Sequence, residues 1–198
     1  MARRSAAAAL LLLAAGVAAC APTDTASPPP FDPGRYPPIR LAVGGVEVAS
    51  VVAYPAGMGF IARRRSEQLA QDAQSFLRAR LVAAGGPDLA RATVEEATLV
   101  ERARPTGDGA LATVTEPDWE MAGVLALKVA VVDGLGIEQG YATSRVEIKR
   151  SIPRRAGVEA KDEFARTIIA DLIAASDREL GTSVDQNLAG PKAAAAAF

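Results

Sequence analysis

The sequence predicts an α+β domain, a two-layer sandwich in which two helices cover a four-stranded, mainly antiparallel sheet. Four segments alternate apolar and polar residues, which is typical of strands with one buried face. Two further segments repeat apolar residues every three or four positions, which is typical of amphipathic helices. Along residues 39–190 the order is strand, helix, strand, strand, strand, helix, so each element offers an apolar face that another can cover.

The first strand is predicted over residues 39–48. Its apolar residues are Ile39, Leu41, Val43, Val46 and Val48. Their spacing shifts by one residue at Gly44-Gly45, as it does where a β-bulge interrupts a strand. We therefore expect a single strand with a bulge in this segment.

The first helix is predicted to begin at Ser66, because a serine hydroxyl caps helix N-termini well and Glu67 would lie in the first turn. Arg78 and Arg80 lie near its expected end, where Gly85-Gly86-Pro87 would stop it. Its apolar face is formed by Leu69, Ala73, Phe76, Leu77, Leu81 and Ala84.

The second strand is predicted over residues 90–104, where Glu95 and Glu96 disturb the alternation. Neighbouring residues on a strand point to opposite faces, so these two carboxylates are not expected to form an acid/base pair. The third strand is the clearest, since Glu120 and Lys128 fall opposite its apolar face. That face contains Trp119, Met121, Leu125, Leu127, Val129 and Val131.

The fourth strand is predicted over residues 140–152, with a polar outer face. Residues 134–140 before it have the spacing GxGxxxG, which superficially suggests a phosphate-binding loop. A strand follows, however, so no helix N-terminus is available to hold a phosphate, and a hairpin loop is expected instead.

The second helix carries a broad apolar stripe formed by Phe164, Ala165, Ile168, Ile169, Leu172, Ile173 and Leu180. The stripe continues through Val184 and Leu188 to Gly190-Pro191, so the domain is expected to span residues 39–190. The Ala-rich residues 191–198 are expected to form an unstructured tail.

The composition excludes several classes of protein. Without His, the chain has neither His-dependent nucleophilic catalysis nor an imidazole metal ligand. Its single Cys forms neither an internal disulfide nor a Cys-rich zinc site. With 22 basic and 23 acidic residues, it lacks the basic excess of nucleic-acid-binding proteins. We therefore expect no metal, no cofactor, no nucleic-acid partner and no enzymatic activity.

The N-terminus has the pattern of an export signal. Arg3 and Arg4 precede an uncharged run over residues 6–19, and Val17-Ala18-Ala19-Cys20 closes it. This resembles the lipobox of bacterial lipoprotein signal peptides. The resemblance implies that residues 1–19 are removed and that Cys20, the only Cys, receives diacylglycerol. An ordinary secretory cleavage site and a membrane-spanning helix are the alternatives, although a spanning helix needs roughly 20 apolar residues.

Residues 20–38 are predicted to be an acylated Cys followed by a Pro-rich tether, because seven of the 13 prolines fall within 21–38. In an extended polyproline conformation this segment would reach roughly 50 Å from the lipid. A tail that packs on its own domain is the alternative. In the lipoproteins that this sequence resembles, Asp after the acylated Cys favours the inner membrane. Ala21 therefore implies the outer membrane, facing the periplasm.

Together, the lipobox and the order of elements resemble the small envelope lipoproteins of Gram-negative bacteria. These include the lipopolysaccharide-assembly lipoprotein and the auxiliary lipoproteins of ABC-type lipid transporters. The assembly lipoprotein typically has Gly-Phe after its acylated Cys, where this sequence has Ala21-Pro22. The resemblance implies membrane attachment through lipid and an envelope protein or lipid partner.

The predicted chain path brings both helix N-termini to one end of the sheet, opposite the start of the first strand. Basic residues gather there: Arg63, Arg64, Arg65, Arg102, Arg104, Lys149, Arg150, Arg154 and Arg155. The acids expected nearby are Glu101, Asp108, Glu116, Asp118 and Glu120, and Trp119 is expected at the same end. These charges either solvate ordinary loops or form a docking site for an anion or an acidic partner.

The candidate contacts of such a docking site are Arg63, Arg64, Arg65, Lys149, Arg150, Arg154 and Arg155. The first three are expected in an exposed loop before the first helix. The leading hypothesis is a non-enzymatic outer-membrane lipoprotein that acts as a binding or adaptor subunit in envelope assembly or in lipid or lipopolysaccharide transport. A structural spacer and a hydrolase without His-based catalysis are the alternatives.

Overall fold

The structure is a computed structural model that describes residues 32–103, 119–152, 156–188 and 190. It confirms the predicted α+β class, with two helices packed on a four-stranded sheet. The elements are β1 (Ile39–Leu41), β2 (Gly45–Ser50), α1 (Phe60–Arg80), β3 (Leu81–Ala83), β4 (Leu89–Ala103), β5 (Trp119–Val132), β6 (Glu138–Ile152) and α2 (Val158–Asn187). The predicted lipidation site Cys20 and the Ala-rich tail lie outside the described residues.

The main sheet has the strand order β2-β4-β5-β6 and is mainly antiparallel, as predicted. Among the described strands of this sheet, only β2 and β4 run parallel, whereas β5 is antiparallel to both β4 and β6. Leu89 pairs with Gly45 on one side and with Val132 on the other, so β2 and β4 start where β5 ends. We call this end of the sheet the hairpin end.

The predicted first strand is two strands rather than one strand with a bulge. Parallel pairs run from Ile39 with Leu81 in β1 and β3, and resume at Gly45 with Leu89 in β2 and β4. Between them, the three residues 42–44 face the five residues 84–88. The two extra residues lie in the segment between β3 and β4. There Gly86 has a φ of 149°, and a Cβ on it would come within 2.3 Å of the Ala42 carbonyl oxygen. Only glycine fits there.

Helix α1 begins at Phe60, with Gly59 as its N-cap, so the prediction of Ser66 as the cap was wrong. Ser66 is fully buried one and a half turns further on. Its hydroxyl donates to the Ala62 carbonyl at 2.8 Å and accepts the Leu99 N–H at 2.9 Å. A serine followed by Glu therefore resembles a helix cap in the sequence, whereas in the structure its hydroxyl accepts a backbone N–H of strand β4.

Helix α1 also ends earlier than predicted. The Leu81 N–H bonds the Leu77 carbonyl and closes the last turn, after which Leu81 enters β3. Ala84 is not helical, because its N–H donates to the carbonyl of Leu41, the last residue of β1. Pairing with β1 thus competes successfully with helix propagation. Before β1, residues 33–35 form a 3₁₀ turn, and Tyr36 packs edge-on against Phe76 with ring centroids 5.1 Å apart.

The remaining strands and α2 lie where the sequence predicts them. In β4 a bulge lies between Val94 and Glu96, and buried residues flank it on both sides at Val94 and Ala97. Glu95 and Glu96 consequently both lie on the outer surface, so the prediction of opposite faces was wrong. Strand β5 is the buried centre of the sheet, and α2 continues to Asn187, as its stripe predicted.

The core lies between the sheet and the two helices. Leu127 of β5 and Ile168 of α2 are both fully buried. Gly123 lets α2 approach β5 closely, since a Cβ there would come within 2.7 Å of the Leu172 side chain. Among the described residues, neither helix is long and apolar enough to cross a bilayer.

Each helix also covers one edge of the sheet. In the described part of the chain, β4 has no strand partner on the β2 side beyond Val94, and there Ser66 of α1 accepts the Leu99 N–H. On β6, Ser183 of α2 accepts the Thr143 N–H at 3.0 Å. Glu179 of α2 likewise accepts the Arg145 N–H at 3.2 Å. Unpaired strand edges invite association with other chains, and these side chains close the two edges at those points.

Replacing Ser66 with Ala should lower the free energy of unfolding by about 1–3 kcal/mol, because it leaves the buried Leu99 N–H without an acceptor. Denaturant unfolding monitored by circular dichroism measures the change. Ser75→Ala is the matched control, since that hydroxyl only donates to the Gln71 carbonyl of its own helix. Equal losses in the two variants would contradict the role assigned to Ser66.

Candidate functional site

The candidate site is the end of the sandwich opposite the hairpin end. Ala103, Trp119 and Ile152 pair in register across β4, β5 and β6 there, and both helices begin beside them. This confirms that the two helix N-termini share one end of the sheet. We call this region the charged pole. Its described basic residues are Arg63, Arg64, Arg65, Arg102, Lys149, Arg150 and Lys161.

Arg65 is the centre of the charged pole. Its guanidinium donates to Asp162 Oδ1 at 2.8 and 3.2 Å, and one of its nitrogens lies 3.7 Å from Glu101. Lys161 bonds the same Glu101 from α2. The Arg65 side chain is only 8% exposed. The prediction that Arg63, Arg64 and Arg65 lie in an exposed loop was therefore wrong, since they lie in the first two turns of α1.

The other described candidates also have partners. Arg64 lies 3.3 Å from Asp162, Lys149 lies 2.7 Å from Glu147, and Arg150 lies 2.7 Å from Asp171. These three cations keep about half of their side-chain surface exposed. The Arg63 guanidinium stacks 5.8 Å from the centre of the Tyr54 ring. Arg104, Arg154 and Arg155 lie outside the described residues, as do Asp108, Glu116 and Asp118.

The predicted acids explain only part of this pairing. Glu101 pairs with Arg65 and Lys161, and Glu120 lies 2.9 Å from Arg102. The carboxylates of Asp162 and Asp171, which hold three of the predicted arginines, were missed. Both belong to the first half of α2. Because α2 was predicted to start at this end, the acidic residues in its first half could have indicated that the arginines of the charged pole are paired.

Two Arg–Asp pairs join the helices to each other. Arg65 with Asp162, and Arg80 with Asp177 at 2.6 Å, both connect residues 97 positions apart in the sequence. The two helices therefore run parallel, with the same register at both contacts. At 1.5 Å per residue, the pairs are about 22 Å apart along the helices. We call them the two clasps. Both side chains of the second pair are less than one-fifth exposed.

Trp119 lies at the charged pole, as predicted. The Lys161 ammonium is 5.6 Å from the centre of its indole ring, within the range of a cation–π contact. The same ammonium bonds Glu101, so Lys161 links α2 to both β4 and β5. Among the described residues, no group of three or more His, Cys, Asp or Glu side chains is arranged to hold a metal ion.

The hydrogen bond from Arg65 is the main reason that the pKa of Asp162 is lowered from its ordinary value. Burial opposes this effect, and the positive charges of Arg65, Arg64 and Arg166 support it. Asp162 therefore stays ionised at neutral pH. The arrangement holds structural elements together and leaves part of the charge on Arg64, Lys149 and Arg150 accessible to solvent.

A scan against models of known protein families and a search of curated proteins find no match to this chain. Among solved structures, it is similar to the rare lipoprotein B from Shewanella oneidensis at 15% identity and a TM-score of 0.40, covering 72% of this chain and 95% of that one. It is similar to a minor lipoprotein from Acinetobacter baumannii at 16% identity and a TM-score of 0.37, covering 74% and 96%.

A third structure, the uncharacterized lipoprotein B from Nitrosomonas europaea, is 16% identical with a TM-score of 0.39, over 75% of this chain and 88% of that one. All three carry the names of bacterial lipoproteins. The function proposed below rests on this chain's own residues.

Asp162→Asn should destabilise the domain by about 1–3 kcal/mol at neutral pH, because it weakens charged hydrogen bonds to the buried Arg65. The pKa of Asp162 is lower in the folded protein than its ordinary value of 3.8, so the carboxylate stabilises the fold at pH values above 3.8. This stabilisation is lost as the pH falls through the folded pKa. The difference between wild type and variant should therefore shrink below about pH 4. Urea unfolding at several pH values measures it.

Asp171→Asn is the matched control, since Asp171 lies on the same helix as Asp162 and forms a more exposed ion pair with Arg150 of β6. Exposed pairs contribute about 0–1 kcal/mol, so the control should change stability little at any pH. A loss in Asp162→Asn that is no larger than in the control, or that does not depend on pH, would contradict the role of the first clasp.

Proposed function

We propose that this chain is a lipid-anchored outer-membrane lipoprotein that faces the periplasm and acts as a binding or adaptor subunit in envelope assembly or in lipid or lipopolysaccharide transport. The observation that carries this proposal is the position of Cys20. It is the only Cys of the chain, and it follows Val17-Ala18-Ala19 at the end of an uncharged run. That is the position at which lipoprotein signal peptides are cleaved and the thiol is acylated.

The residues after Cys20 support attachment to the outer membrane. Ala21 occupies the position where Asp would favour the inner membrane, and prolines dominate the segment up to Pro38. Such a segment resists α-helix and sheet formation, which suits a tether between the lipid and the folded domain. An export signal, an anchor and a tether joined to one α+β domain suit a protein that works at a membrane surface.

A binding role is favoured over catalysis by the composition and by the use of the charged groups. The chain has no His, and its one thiol would carry lipid. At the charged pole, the carboxylates of Glu101 and Asp162 are each bound by two cations, so neither is free to act as a base. A hydrolase that uses other groups and a structural spacer are the alternative functions.

The charged pole remains the candidate docking surface for an anion or an acidic partner. Arg64 is its best-exposed described cation, and it lies in α1 near the helix N-terminus, where the helix dipole adds partial positive charge. Arg65 is a buried structural residue. Its replacement would disturb the first clasp, so a loss of binding in such a variant would not be specific to docking.

Cys20→Ser should abolish incorporation of labelled fatty acid and prevent delivery of the chain to the outer membrane, because the serine hydroxyl does not accept the diacylglycerol. Metabolic labelling, followed by fractionation of inner and outer membranes, measures both effects. Undiminished labelling of the variant, or a mature N-terminus at another residue, would contradict the proposal. Labelled protein in the inner membrane would contradict its outer-membrane part.

Arg64→Glu should reduce crosslinking of an acidic partner in cells, and the reduction should diminish at high salt, since exposed charges are screened within about 8 Å at physiological ionic strength. Arg78→Glu is the control, because Arg78 is exposed on the same helix near its other end and bonds only Gln74 of its own helix. Equal crosslinking in the two variants would show that the charged pole is merely solvated.

A further inference from the structure

The turn between β5 and β6 is held rigidly by Asp133. One carboxylate oxygen accepts the N–H groups of Leu135 and Ile137, both at 2.9 Å, and the other accepts the Gln139 amide at 2.8 Å. The Asp133 N–H bonds the Ile137 carbonyl, and the Gly136 N–H bonds the Asp133 carbonyl. Gly136 has a φ of 81°, which favours glycine. We call residues 133–137 the hairpin tip.

This ordered turn presents two aliphatic side chains to solvent. Leu135 is 86% exposed and Ile137 is 57% exposed. Apolar side chains at such exposure gain nothing from the fold, although the N–H groups beside them are already bonded within the turn. The free-energy penalty of moving this turn out of water is therefore smaller than the penalty for a loop whose N–H groups are not bonded within the turn.

Next to the hairpin tip lie two side chains of amphipathic type. Tyr141 is half exposed on the outer face of β6, and the Lys128 ammonium lies 4.8 Å from the centre of its ring. Lys128 also bonds Glu138 at 2.8 Å. Tyr and Lys both combine an apolar body with a polar end, and they are suited to the boundary between lipid and water.

The hairpin tip lies at the end of the sheet where the described chain begins. Val132, the last residue of β5, is in register with Leu89, which pairs with Gly45 at the start of β2. Residues 32–44 precede that point, and β1 pairs with β3 before β4 begins. From Cys20 to Asp32 the chain spans at most roughly 40 Å, even when fully extended. An anchor at Cys20 therefore keeps this end of the domain near the lipid.

We infer that the hairpin tip is a membrane-contact element that inserts Leu135 and Ile137 into the lipid surface to which Cys20 is attached. This inference rests on the lipid anchor proposed above and adds a second contact to it. A short tether raises the effective concentration of the tip at the surface, so a weak affinity is sufficient. The domain then has a fixed orientation, with the charged pole directed away from the membrane.

The test uses the mature, acylated full-length chain in vesicles of phosphatidylethanolamine and phosphatidylglycerol. Acylation consumes the Cys20 thiol, so Leu135→Cys provides a single site for an environment-sensitive fluorophore. Val158→Cys is the matched control, because Val158 is 73% exposed at the first residue of α2, beside the charged pole. Spin-labelled lipids in the vesicles quench a fluorophore that enters the lipid surface.

In protein that floats with the vesicles, quenching at residue 135 should be several-fold greater than at residue 158. Replacing Ile137 with Asp in the same labelled chain should bring the quenching down to the control value, while the protein still floats. Floating protein with equal quenching at both sites would overturn the membrane contact and leave the anchor intact. Protein that does not float would overturn both proposals.

Discussion

The register between the parallel helices α1 and α2 is held by the two clasps, Arg65 with Asp162 and Arg80 with Asp177. Both helices start at the charged pole, so like partial charges of their dipoles lie side by side, and an opposing attraction is needed. The clasps supply it at two points and fix the register. They also place the edge-covering residues, since Ser66 follows Arg65 directly and Glu179 lies two residues after Asp177.

The need to pair these arginines also explains why the charged pole contains many basic residues while carboxylates neutralise much of their charge. A guanidinium that joins α1 to α2 needs a carboxylate, and α2 provides one at each clasp. Arg65 at the charged pole and Arg80 at the other end of α1 are therefore structural residues, whereas Arg64, Lys149 and Arg150 lie at the charged pole with about half of their side-chain surface exposed. The basic cluster in the sequence thus contains both structural and solvent-exposed cations, which are distinguished only by how deeply their side chains are buried.

The sequence was sufficient for the elements whose apolar period is long and uninterrupted, as in β5 and α2. It failed where a local pattern has two physical meanings. Ser66 followed by Glu67 fits a helix cap as well as a buried hydroxyl, and the choice depends on Leu99, 33 residues away. The clasps likewise join residues 97 positions apart, so no local pattern reveals that Arg65 is buried. The shared end of the helices was predictable, because it follows from the order of elements alone.

The closure of the β6 edge by α2 has a consequence for the order in which the protein matures. Helix α2 is the last regular element of the described chain, and it supplies the acceptors for the N–H groups of Thr143 and Arg145. During synthesis and export, β6 emerges before the helix that closes it. The edge is then open to pairing with any extended segment nearby, so this interval is when the nascent chain most needs a chaperone.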